Sequence, residues 1–399
     1  MCEQVVDYRV CLDPLIEKVT SSLNQNFDNV HYELSTPDDS FFFSDMFFVK
    51  ITVNQSEGKN ETINVVVKKP SQMDHVREVL ESDAQFHNEI LFYEKYAKGD
   101  NELPRCYYTE EKPPMDTVIL LENITQRGYK LSHWKFNVPL EYTLAAFRRI
   151  ARYHAKGYAM KEQHPDQFFD IVSKIWQTRF NQDSTLKGVL NATVTRPVEY
   201  LRKTGSEKDF CDKFEEKCQD MFNNVMLKIV EPEEPLATIC HGDFTINNTF
   251  FKRENGQLNA MLIDFALMRY GSPVIDLSTF LCLHCTEALD KNLLDNVLKA
   301  YHDALIECLK EHGADCEKYS YQAFYEDYKK RGIFGYFIAV FFLSIVMNKA
   351  TTSPDELMKM SPEESGLILR ELGGDEVSEI LANMLLKLKE FGCLDDIIS

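Results

Sequence analysis

The chain has 399 residues, 44% of them hydrophobic, so it can bury a sizeable core; its length suits two or three domains or one bilobal enzyme, not a short fibrous or disordered protein. Its 44 Lys and Arg stand against 63 Asp and Glu, a formal charge of −19, which argues against nucleic acid or an anionic membrane as the principal partner. Eleven cysteines scattered along the chain suit a reducing compartment better than a disulfide framework, and the start MCEQVVDYRVCLDP has no basic region followed by an apolar run, so a cytoplasmic protein is expected.

Residues 1–29 read as an N-terminal helical extension. From about Val30 to Ile124 the pattern is that of strands with one helix, the β-branched and aromatic runs being Phe41 to Val53, Thr62 to Val67 and Thr117 to Leu121. Val65-Val66-Val67 is an apolar strand delivering Lys68, and Pro70 closes it, while Lys69 faces the other side. A helix is predicted from Met73 to Lys98, with Phe86, Ile90 and Tyr93 on one face and Glu89 beside them.

From Thr125 onward the pattern is mainly helical. Leu144, Phe147, Ile150, Ala151 and His154 recur at helical spacing between Tyr142 and Tyr158, where a lone histidine reads as a hydrogen-bonding core residue. Cys282-Leu283-His284-Cys285 invites a zinc reading, but no second pair follows at zinc-site spacing, so core cysteines are expected. The apolar run Gly332 to Met347 is short of the ~20 residues a membrane span needs and reads as a buried helix. Thr351 to Asp375, with two Ser-Pro pairs and Gly373-Gly374, reads as a mobile excursion, and Val377 to Phe391 as a final helix that packs back.

The chemistry concentrates in HGDFTINNTFFKRENGQLNAMLIDFALMRYGSPVIDL, His241 to Leu277. Protein kinases use a loop H-R-D-x-x-x-x-N in which the Asp receives the substrate hydroxyl proton and the Asn holds magnesium. His241, Asp243 and Asn248 repeat that spacing. Glu254-Asn255-Gly256 marks a hairpin turn beyond the loop, and the second strand, Ala260 to Ile263, ends in Asp264, where a second metal ligand is needed. Asp264-Phe265-Ala266 departs from the Asp-Phe-Gly of protein kinases, although the ligand itself is kept. Asp276, after a Gly-Ser-Pro turn, reads as an organiser of backbone amides.

HGDFTINN followed by LIDFALMRYGSPVIDL resembles the ecdysteroid-kinase-like family, relatives of choline kinases and aminoglycoside phosphotransferases, and the likeness extends from about Asp38 to near Asp395. It implies an α+β, bilobal protein-kinase-like fold: a small antiparallel sheet lobe with one helix over residues 30–124, and a mainly helical large lobe over 125–399. The catalytic loop would be 241–248 and the metal motif 262–276.

The resemblance implies Asp243 as catalytic base, Asn248 and Asp264 as magnesium ligands, and Lys68 as the lysine that neutralises ATP phosphates, steadied by Glu89. Ser44 stands at the family's phosphate-loop serine, and backbone groups of Glu122 and Ile124 would face adenine. The loop Asp38 to Ser44 departs most, since it contains no glycine, and backbone amides approach phosphate most closely where no side chain intervenes. The expected activity is therefore ATP- and magnesium-dependent phosphorylation of a lipophilic alcohol, an ecdysteroid-like steroid or a xenobiotic. The alternative is a catalytically impaired binding protein on a kinase scaffold. A protein kinase is disfavoured because no Ala-Pro-Glu segment follows Asp264.

Overall fold

A computed structural model describes residues 13–18, 29–36, 44–54 and 60–398 of the chain. The architecture is α+β, as expected: a small unit built on a five-stranded antiparallel sheet and a larger, mainly helical one. The described residues up to 86, together with Ala97–Gly128, form the first unit, and His87–Tyr96 with the described residues from 129 onward form the second.

In the first unit, β1 (Asn29–Ser35), β2 (Ser44–Asn54), β3 (Asn60–Pro70), β4 (Cys106–Glu110) and β5 (Val118–Glu122) pair in the order β1-β2-β3-β5-β4. Alternation decides the faces. Phe47, Val49 and Ile51 of β2 and Ile63, Val65 and Val67 of β3 share one buried cluster with Val118 and Leu120, capped by Leu15 and Ile16 of the helical turn at 13–18. Lys68, one residue beyond that set, is opposite Met46 and Ile119 in register and presents its ammonium 5.8 Å from the Phe86 ring centroid.

The single helix expected over Met73 to Lys98 is instead three pieces. Helix α1 (Asp74–Val79) stops before Glu81, which has φ +52°; α2 (Ser82–Leu91) follows, and Phe92–Tyr96 is a π-helical turn. A left-handed non-glycine residue cannot continue a right-handed helix, so periodicity alone overran the break.

In the second unit the hairpin β8 (Thr249–Glu254) and β9 (Gln257–Leu262) is closed by Asn255 and Gly256, both at positive φ (+51° and +80°), the geometry that Asn-Gly favours. The short strand β6 (Lys130–Leu131) adds to β8, and β7 (Thr238–Cys240) pairs with β10 (Arg269–Gly271). Around these ribbons pack α3 (Leu140–Gln163), α4 (Val274–His284), α5 (Lys291–Glu311), α6 (Tyr321–Arg331), α7 (Ile333–Val346) and α8 (Gly374–Phe391). Cys282 and Cys285 are buried free thiols, and α7 is an interior helix. No helix among the described residues is long and apolar enough to cross a membrane.

Thr351 to Asp375 is not the excursion expected. It holds helices Pro354–Met358 and Pro362–Glu371, each opened by a serine whose hydroxyl takes the Glu amide three residues on while that Glu carboxylate reaches back. The Ser-Pro pairs are N-caps followed by N1 prolines, not chain breakers.

Candidate active site

Strand β7 carries the chain into the loop that begins at His241, and α4 supplies the group that shapes it. Asp276, in the first turn of α4, accepts the His241 amide on Oδ2 and the Gly242 amide on Oδ1, each at 2.8 Å. His154 of α3 donates from Nε2 to Asp276 Oδ2 at 3.0 Å and receives the Tyr301 hydroxyl on Nδ1 at 2.9 Å. Burial holds His154 below its ordinary pKa against the pull of Asp276, consistent with the neutral tautomer those two partners require.

Gly242 has φ +81°, and a Cβ there would lie 1.8 Å from the Leu267 carbonyl oxygen, so only glycine lets the loop pass. His241 closes the turn: its Nδ1 accepts the Asp243 amide at 3.3 Å and its Nε2 donates to the Ile263 carbonyl at 3.0 Å. The ring sits 4.7 Å from that of Phe265, which stacks on Phe92 at 3.7 Å.

The loop thus presents Asp243 beside Asn248. Asn248 Nδ2 donates to Asp243 Oδ2 at 2.9 Å and to its carbonyl at 3.0 Å. The Ile263 amide bonds to the Asn248 carbonyl at 3.0 Å, so the end of β9 is tied to the loop and the next residue, Asp264, emerges there. Asp264 has φ +64°, a left-handed conformation that costs on the order of 1 kcal/mol and is tolerated best by Asp and Asn among side-chain-bearing residues. The Asp243 carboxyl is pushed above its ordinary range, chiefly by burial and further by the charge of Asp264; Arg179, His241 and the Asn248 hydrogen bond oppose the shift.

Asp243, Asn248 and Asp264 are therefore gathered in the second unit. Glu89, on α2, is buried in that unit also. Lys68, Ser44, Glu122 and Ile124 belong to the first: Ser44 opens β2, Glu122 ends β5, and Ile124 starts a 3₁₀ turn capped by Asn123. Residues Asp38 to Phe43 of the glycine-free loop lie outside the described residues.

The oxygen-rich set of Asp264 and Asn248 suits magnesium: with Nδ2 turned to Asp243, the Asn248 Oδ1 is the atom left to a hard cation. Arg179 is absent from any sequence motif, and its only linear signal is an isolated cation between Thr178 and Phe180. Asn88 also escapes sequence reading, although it takes the Trp176 amide at 2.9 Å and gives its own amide to the Trp176 carbonyl at 3.0 Å.

The model of the ecdysteroid kinase-like family matches residues 39–314. No curated protein matches the chain by sequence. Among solved structures, that of a microcompartment-associated aminopropanol kinase is similar over 95% of this chain and 99% of its own, at 12% identity and a TM-score of 0.40. Since the family model spans well over half of its length, and the loop geometry is built on residues inside that match, the chain belongs to the ecdysteroid kinase-like family.

Proposed function

We propose that the chain is an ATP-dependent kinase that phosphorylates a hydroxyl group of a small lipophilic alcohol, an ecdysteroid-like steroid or a xenobiotic. One observation carries the reading: Asn248 holds the Asp243 carboxylate at 2.9 Å in a loop bonded through Asn248 to the residue before Asp264. A general base, an amide oxygen and a second carboxylate are then grouped as phosphoryl transfer to an alcohol requires.

In this reading Asp243 orients the acceptor hydroxyl and takes its proton, a task favoured by a carboxylate whose proton affinity burial has increased. Asn248 and Asp264 would hold magnesium, which when bound neutralises charge on the phosphates. Lys68 is assigned the phosphate oxygens and Glu89 the steadying of that lysine, roles that rest on their sequence settings. Ser44 is assigned a phosphate hydrogen bond, and the backbone of Glu122 and Ile124 the adenine edge. The partner is a small molecule, since the charge of −19 disfavours nucleic acid and anionic membranes.

The glycine-free sequence Asp38 to Ser44 supports a second reading, a kinase-fold binding protein without turnover. Calorimetry with ATP and magnesium separates the two, comparing the native chain with Asp264→Ala at matched folded fraction. Tight binding lost in the variant supports the kinase and leads to an acceptor screen of small alcohols against casein-type proteins. Absence of binding in both chains favours the second reading.

A further inference from the structure

Helix α5 ends in a way that gathers three metal-ligating side chains on one turn. Gly313, at φ +68°, takes the left-handed position that stops the helix, its amide on the Lys310 carbonyl at 3.1 Å and the Ala314 amide on the Leu309 carbonyl at 3.0 Å. His312 is thereby fixed as the C-cap, four residues after Cys308 and one after Glu311. Residues three and four apart share a helix face. One ligand atom from each of Cys308, Glu311 and His312 lies within 4.8 Å of the other two.

The closest pair has the spacing of a bound ion. Cys308 Sγ and His312 Nδ1 are 3.7 Å apart. Zinc holds a thiolate sulfur at about 2.3 Å and an imidazole nitrogen at about 2.0 Å, so a tetrahedral angle between them sets the two atoms about 3.6 Å apart. Nδ1 donates to the Cys308 carbonyl at 2.8 Å. When it binds a metal instead, its proton moves to Nε2, and that carbonyl keeps the His312 amide at 3.1 Å, so no buried acceptor is stranded.

Charge favours a cation at the same place. The last carbonyls of α5 present the negative end of the helix dipole. Glu311 already holds one cation: Arg152 of α3 donates from Nη1 to Oε1 at 3.2 Å and brings Nη2 to 3.0 Å from Oε2. A carboxylate has about four lone-pair sites, so Glu311 can serve an ion as well, although Arg152 competes for it. Cys308 is buried while Glu311 and His312 are exposed, so an ion reaches the sulfur past these two.

We propose that Cys308 Sγ, His312 Nδ1 and one Glu311 carboxylate oxygen bind a zinc-class divalent ion, with water in the fourth position. Thiolate and imidazole select such an ion over magnesium, which takes oxygen ligands. On binding, the Cys308 thiol proton passes to solvent and bonds to sulfur, nitrogen and oxygen replace metal–water bonds, with nothing oxidised or reduced. None of the three residues is assigned above to phosphoryl transfer, so the site stands or falls apart from the kinase reading.

The test is an optical titration of the full, reduced chain with cobalt(II), which stands in for zinc and reports its ligands by colour. The native chain should take up one cobalt with a thiolate charge-transfer band and the visible bands of tetrahedral geometry, both abolished by zinc. Cys308→Ser should lose the charge-transfer band, and His312→Ala should bind at least about 10- to 100-fold more weakly, the loss that even an outer-shell change causes. Cys316→Ser, which removes a nearby thiol outside the trio, should leave band and affinity unchanged. Should Cys308→Ser not fold, the exposed His312→Ala carries the test, with weakened binding at an unchanged melting transition as the required result. No thiolate band in the native chain, a band that persists in Cys308→Ser, or native affinity in His312→Ala overturns the proposal.

Discussion

The His154 imidazole and the Asp276 carboxylate meet at 3.0 Å with both side chains fully excluded from solvent, and the same carboxylate holds two successive loop amides. Both oxygens of Asp276 thus face donors. Asp276→Asn turns an N–H toward at least one of those donors, so a buried pair is broken without replacement. The expected loss is about 3 kcal/mol of stability, read by urea denaturation. A variant as stable as the native chain shows that Asp276 does not carry the loop.

Asp243 should behave in the opposite way. Burial raises its proton affinity, so a neutral amide of the same shape relieves a desolvated charge. Asp243→Asn is expected to keep or slightly raise the melting temperature while, on the proposed kinase reading, kcat falls about 10²- to 10⁴-fold, the usual contribution of a general base. A kinetic loss that follows only from unfolding assigns the residue to structure.

Gly242→Ala tests the tightest approach in the site. The added methyl meets the Leu267 carbonyl oxygen at 1.8 Å on a backbone already at φ +81°, so both clash and conformation oppose it. Destabilisation should exceed the ~1 kcal/mol expected of an unobstructed glycine-to-alanine change at positive φ. Chemical denaturation of the variant measures it; a cost at or below that figure means the Leu267 backbone yields.

These residues also mark how far the sequence reaches. The hairpin after the loop was legible because Asn255-Gly256 is a local signal whose two positive φ values need no tertiary help. The faces of β2 and β3 followed from alternation, which places Val65 and Val67 inside and Lys68 on the other side. The break at Glu81 was not legible, since nothing in a glutamate announces a left-handed backbone. Ser353 and Ser361 misled in another way: Ser-Pro signals either a turn or a helix start, and the Glu three residues on, which decides between them, is a local cue. Asn88 stayed hidden because its role comes from the Trp176 backbone, 88 positions away, which no motif links to it. A site assembled from one contiguous motif reads easily, while a residue delivered by a separate loop needs coordinates.

The pH dependence of stability should carry the signature of His284. Its Nδ1 donates to the Lys135 carbonyl at 2.7 Å, and its own carbonyl accepts the Val138 amide at 2.9 Å, so the residue fastens the segment before α3 to the end of α4. Burial pushes its pKa down from 6.5 to about 4, and Nε2 has no hydrogen-bond partner among the described residues to support a second proton. The unfolded chain therefore binds a proton between about pH 6.5 and pH 4 that the native chain refuses. Native stability from this residue is fully present above the unfolded value and is lost as pH falls through that window, on the order of 3 kcal/mol in all. His284→Asn keeps a donor for Lys135 near the Nδ1 position and removes the titration. Urea denaturation at pH 7.5, 6 and 5 should show the native chain losing its advantage over the variant stepwise as the pH drops. An advantage that stays constant across the three pH values would mean that His284 takes up its proton in the folded state as readily as in the unfolded one.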